Sequence, residues 1–215
     1  MQDRKLRVRI RFSKTGPARY LSHGDTVRAW ERSFRRARLP LAYSRGFSPG
    51  PQLRFGPPLP VGYEGLAEVM DADLDQPVPL ESLKSRLGDA LPPGLVLIDA
   101  EFIPVIKTSL MSAARAADYK TSISNPPPDI ADRIAGFLNH DSVPIEISRG
   151  KKVREIDARR AVIHLRQSTE NTLDMRLMLG HGAACRPEDI ARALDLEVEQ
   201  TQRLSVVYEF PATSK

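Results

Sequence analysis

The sequence predicts an α+β protein of two tandem ferredoxin-like domains, each running β-α-β-β-α-β with an antiparallel sheet. Three observations predict it. Apolar patterns of strand and helix period follow one another in that order twice along the chain. A length of 215 residues suits two domains of about 100 residues each. The single cysteine, Cys185, excludes an internal disulfide framework, so each core must hold without staples. The expected domains are 1–108 and 109–215.

The first strand is LRVRIRF, residues 6–12, with Leu6, Val8, Ile10 and Phe12 on one side and Arg7, Arg9 and Arg11 on the other. HGDTVRAWERSFRRARLP then reads as a helix ended before Pro40. At about 100° per residue, Val27, Trp30, Phe34 and Ala37 fall together, and Arg28, Arg32, Arg35 and Arg36 gather on another side. Residues 41–65 carry so many Gly and Pro that only an edge strand around QLRF fits. GLAEVMDADLD is a strand, PLESLKSRLGDALPPG a helix stopped by Pro92 and Gly94, and LVLIDAEFI a strand.

SLMSAARAADYKTSI crosses into the second half, and NPPP at 125–128 is a turn that sets up the helix DIADRIAGFLNH. VPIEISR is a strand, followed by the basic stretch RGKKVREIDARR and by AVIHLRQ, whose class stays open. TLDMRLMLG reads as a strand, RPEDIARALDL as a helix and QRLSVVYEF as the last strand. The second β-α-β-β-α-β series therefore carries one irregular insertion.

Charge is unevenly spread. Residues 1–60 hold 14 Lys and Arg against 3 Asp and Glu, whereas the rest hold 18 against 24. Such concentration is the footprint of a polyanion binder, and equally of a basic face that docks an acidic protein. The N-terminus alternates charged and apolar residues, and no uncharged apolar run of about 18 residues occurs, so a soluble cytoplasmic protein is expected.

Two readings stand for the Arg7, Arg9, Arg11 row. On the open face of a ferredoxin-like sheet it would meet RNA, as in single-strand recognition modules. Alternatively Asp71 and Asp73, on the expected neighbouring strand, pair with it across the ladder. The helix stripe has only Glu31 nearby to neutralise it, which favours polyanion contact. In the opening loop, Ser22 and Asp25 have the spacing of a capping box with Asp in place of Glu. His23 then lies in the first helical turn, near N–H groups that attract anions. Lys14, Arg19 and Arg45 extend the basic region, and Tyr43 and Phe47 are aromatics placed either to stack on bases or to pin their loop. The RNA-contact candidates are thus Arg7, Arg9, Arg11, Lys14, Arg19, His23, Arg28, Arg32, Arg35, Arg36, Tyr43, Arg45 and Phe47.

Catalytic templates fail. There is no P-loop, no GxGxxG, no HExxH and no CxxxCxxC, so the chain is not itself a radical SAM enzyme of the usual kind. His23, His140, His164 and His181 are widely spaced and Cys185 has no CxxC partner, which leaves no expected metal site, cofactor or catalytic residue.

RFSKTGPARYLSHGDTVRAWERSFRRARLPLAYS, GFSPGPQLRFGPPLPVGYEG, SLMSAARAADY and KVREIDARRAV together resemble the bacterial radical-SAM-linked proteins. The likeness covers essentially the whole chain and is densest over residues 10–65. It implies a radical SAM protein as partner, encoded alongside or fused. It also implies RNA or ribosome-related work, such as tRNA or rRNA modification, and brings no catalytic residues with it. Gly24 departs from the usual Ser-His-Leu-Asp loop, and SPGPQ from an Asn-Pro-His-Pro-Lys type string. A more distant likeness is to the endonucleases that process CRISPR transcripts. The expected function is a non-catalytic RNA-binding accessory protein. The alternatives are a docking adaptor for the radical SAM partner and a metal-independent endoribonuclease using His23.

Overall fold

The computed structural model describes residues 6–149, 152–180 and 185–211. The expectations placed on Gly150, Lys151 and His181 lie outside those residues. Among the described residues, six α-helices and ten strands form a mixed α+β architecture with mostly antiparallel pairing. Contacts divide the chain into two compact units, one reaching Ala113 and rejoined from Phe210, the other Ala114–Glu209.

The first unit runs β1 (Leu6–Lys14), α1 (His23–Arg36), β2 (Leu53–Phe55), β3 (Glu64–Leu74), α2 (Leu80–Ala90), β4 (Leu95–Ile103) and α3 (Leu110–Ala113). Its strands lie side by side in the order β4-β1-β3-β2. The alternation in β1 does what a period of two requires, and Val8, Ile10 and Phe12 are buried together on one face. They meet Trp30 and Phe34 of α1, Met70 and Leu74 of β3, and Leu83 and Leu87 of α2 in one apolar cluster. Phe12 stands edge-on to Trp30 at 4.9 Å between ring centroids.

The buried side of α1 differs from the wheel in detail. Thr26, Ala29 and Ser33 are buried with Trp30 and Phe34, whereas Val27 is only half-buried. Small hydroxyl residues serve there because their oxygens bond to backbone carbonyls of the preceding turn, Thr26 to Ser22 and Ser33 to Ala29, both at 2.9 Å. The helix also stops earlier than Pro40. Arg38 takes a left-handed φ of +52°, and the N–H groups of Arg38 and Leu39 bond to the carbonyls of Arg35 and Phe34, each at 3.0 Å. This is a Schellman closure with arginine where glycine is usual.

Glycine is required where the α2–β4 connection ends. Gly94, at φ +86°, ends the α2–β4 connection against the turn after β1, and a Cβ there would sit 2.4 Å from the Thr15 carbonyl oxygen.

The second unit runs β5 (Ala114–Ser124), α4 (Ile130–Asn139), β6 (Pro144–Arg149), β7 (Lys152–Asp157), α5 (Ala158–Ala161), β8 (Val162–Thr169), β9 (Thr172–Met178), α6 (Pro187–Ala193) and β10 (Glu197–Tyr208). Four of its strands line up as β10-β5-β9-β8, and β6 and β7 pair separately as a hairpin. With that hairpin and α5 set aside, the lateral order repeats that of the first unit. The expectation for VPIEISR is thereby corrected: it is a strand, β6, but it pairs with β7 from the basic stretch in a separate hairpin, and its expected place in the series is taken by β8. AVIHLRQ resolves as β8, because pairing with β9 supplies the ladder its short alternation did not announce. Residues 114–117 join β5 rather than a crossover, and β10 begins at Glu197, before the expected QRLSVVYEF.

Candidate nucleic-acid interface

The arginine row of β1 is largely neutralised. The strand register sets Arg7 opposite Asp73 and Arg9 opposite Asp71. Arg7 donates to both carboxylate oxygens of Asp73 at 2.7 and 3.3 Å, and Arg9 to both of Asp71 at 2.8 and 2.9 Å. The side chains of Arg7 and Asp73 are 7% and 1% exposed. Arg54 from β2 adds a second cation on Asp73 at 3.0 Å. Burial pushes the Asp73 carboxyl up, but the Arg7 hydrogen bond and the charges of Arg54 and Arg7 outweigh it and hold the pKa below the usual carboxylate range.

The face expected to stay open is also covered in part. Arg7 donates to the Ile106 carbonyl at 3.2 Å, α3 packs against β2, and the Phe210 ring lies 4.6 Å from the Arg9 guanidinium. Of the two readings of this row, pairing across the ladder is therefore the arrangement observed for Arg7 and Arg9. Arg11 alone stays half exposed, with Asp99 4.0 Å away.

The opening loop is organised mainly as a cap. Ser22 accepts from the Asp25 N–H at 3.1 Å and donates to the Asp25 carboxylate at 2.6 Å, and Arg28 donates to the same carboxylate at 2.6 Å. The Ser22 hydrogen bond first, then that from Arg28, keeps the Asp25 pKa below its ordinary value. Lys14 is turned inward, buried, and donates to the Leu21 carbonyl at 2.7 Å. It lines a recess of about 20 Å³, room for roughly one water, with His23, Phe55 and Glu68 among its other walls. His23 is exposed at the helix start and edge-on to Phe55 at 5.5 Å. Arg19 is folded onto its neighbour, donating to the Tyr20 hydroxyl at 2.7 Å with its guanidinium over the ring.

The face of α1 presents the cations differently. Arg28, Arg32, Arg35 and Arg36 are all exposed. Arg28 leans on Asp25 and Arg35 on Glu31 at 3.1 Å, surface pairs that solvent screens. Arg36 donates to the Ala90 carbonyl at the end of α2. Arg32 makes no hydrogen bond or ion pair with any described residue. Arg28, Arg32 and Arg35 follow i, i+4, i+7 spacing, so they form one stripe rising about 10 Å along the helix.

A further exposed cation, Arg38, stands just past the end of α1 and was missed by the wheel, because the left-handed turn takes it off the helical path. Five arginines of α1 and the turn that closes it are thus exposed, two of them paired with Asp25 and Glu31. Beside them, Tyr43 donates to Glu31 at 3.1 Å, which ties the following loop to the stripe, and Arg45 and Phe47 are exposed on that loop.

Among the described residues, no group of three His, Cys, Asp or Glu side chains is placed to hold a metal ion, and no helix is long and apolar enough to cross a membrane. Cys185 is buried.

These features define an antiparallel α+β protein with an arginine-rich helix face. The chain belongs to the family described as "Uncharacterized protein conserved in bacteria (DUF2344)", whose model matches residues 7–187. A comparison with curated proteins finds no match to the chain.

Proposed function

We propose that this protein is a non-catalytic RNA-binding accessory factor, built of two ferredoxin-like domains divided near residue 108, that works with a radical SAM enzyme on tRNA, rRNA or ribosome-associated RNA. The strand order repeated in both units supports the fold reading. The radical SAM partner is supported by the resemblance carried by the loop and helix segments quoted above. The observation that carries the RNA reading is the stripe Arg28, Arg32 and Arg35, cationic, exposed and only weakly neutralised. Phosphates spaced along a strand suit such a row, and guanidinium forks bind them well.

Arg7 and Arg9 leave the contact set, because their donors are held by carboxylates, and Lys14 leaves because it points inward. The contact set becomes Arg28, Arg32, Arg35 and Arg38, flanked by Arg11, Arg19, Arg36 and Arg45. His23 meets an aromatic edge and has no hydrogen-bond partner among the described residues.

A gel-shift titration of the full chain with total bacterial tRNA and rRNA tests the reading. Binding by the native chain that is lost on Arg32→Glu with Arg35→Glu is the expected result. If co-purification with the radical SAM protein survives nuclease but fails in that variant, the basic face docks protein instead.

A further inference from the structure

We infer that Phe47 is a base-stacking residue that makes the interface selective for unpaired RNA over duplex; this rests on the RNA-binding reading above. Phe47 is fully exposed, at the middle of a loop whose ends are closed. The Ser44 N–H bonds to the Gly50 carbonyl at 2.8 Å, and the Gly50 N–H bonds to the Ser44 hydroxyl at 2.9 Å. Tyr43, just outside that closure, is hydrogen-bonded to Glu31, which also receives Arg35. The loop is therefore moored to the basic stripe, and its aromatic tip is presented rather than packed.

An exposed phenylalanine gains nothing in water and leaves its apolar ring unburied. Beside a row of phosphate-binding arginines, the chemistry that would cover the ring is the face of a base free to leave its stack. Aromatic stacking of that kind is tolerant of sequence and needs a single strand, a bulge or a loop, because paired bases present only edges. The basic stripe would bind either form through phosphates, so discrimination falls to Phe47.

Fluorescence anisotropy of the full chain with a labelled single-stranded oligouridylate and a blunt RNA duplex of equal charge tests this. The native chain should bind the single strand more tightly. Phe47→Ala should weaken single-strand binding about tenfold and leave duplex binding unchanged, and Phe47→Trp should keep the preference. A 2-aminopurine placed in the single strand should be quenched by the native chain and not by Phe47→Ala. Equal affinity for both probes, or an unaltered preference in Phe47→Ala, overturns the inference while leaving RNA binding in place. Failure of the native chain to bind either probe overturns both.

Discussion

Arg36 and Arg86 each close the end of the other's helix. Arg36 of α1 donates to the Ala90 carbonyl at the last residue of α2. Arg86 of α2 donates to the Ala37 and Arg38 carbonyls at the end of α1, at 2.5 to 3.0 Å. The exchange places a cation at the negative end of each helix dipole and satisfies carbonyls that the helices leave open. It also ties down the left-handed turn at Arg38 through the Ala37 and Arg38 carbonyls.

Removing Arg86 should therefore destabilise the fold measurably. Arg86→Ala leaves the Ala37 and Arg38 carbonyls without their charged donor, and hydrogen bonds of that kind contribute about 1.5–3 kcal/mol. Urea unfolding should show a loss in that range, while Arg86→Lys, with a donor but no fork, should recover only part of it.

The Arg7–Asp73 pair makes a sharper stability claim. Removing one partner of a buried ion pair costs about 3–5 kcal/mol, whereas replacing both by apolar residues of similar size is often neutral. Asp73→Leu alone should be strongly destabilised, and Arg7→Met combined with Asp73→Leu should regain part of the loss, the remainder being the Arg54 guanidinium left without its carboxylate. Equal stability of the single and double variants in denaturant melts would show that the pair is not coupled as the geometry requires.

The same carboxylate gives a pH dependence. Its folded pKa lies below the unfolded value of about 3.9, so its contribution is fully present above that value and disappears as pH falls through the folded pKa. Urea midpoints should drop in the acid range, and Asp73→Asn should be weaker at neutral pH yet show a shallower drop.

The cap on α1 is a local test. Ser22→Ala removes the acceptor for the Asp25 N–H and should cost about 1 kcal/mol, whereas Ser22→Thr, whose hydroxyl can both accept from that N–H and donate to the Asp25 carboxylate, should retain most of the stability. Thermal melts would separate Ser22→Ala from Ser22→Thr, because both leave the core untouched.

What could be read from the residues was set by how local its cause is. The alternation of β1, the Ser22 cap and the α1 stripe rest on neighbours within a few positions and were legible. The pairing of Arg7 with Asp73 was legible as one of two readings, since Asp71 and Asp73 were already on a candidate neighbouring strand. Choosing between them needed the register, a contact across 66 residues. The inward turn of Lys14, the early stop of α1 at a left-handed arginine and the strand nature of AVIHLRQ were not legible. Each is decided by tertiary partners, respectively the Leu21 carbonyl, the Arg86 fork and β9. Arg38 slipped out of the site for the same reason. No glycine marked the turn.

The salt dependence of RNA affinity tests the central claim most directly. Every phosphate that a variant no longer neutralises should reduce the slope of log K against log salt by about 0.7 to 0.9. The account predicts a slope smaller by about 2 to 3 in a variant with Arg28, Arg32 and Arg35 all changed to Ala, and no change in a Lys14→Met variant that remains folded. An unaltered slope in the triple variant, with RNA still bound, would contradict the assignment of the α1 face as the phosphate-binding surface.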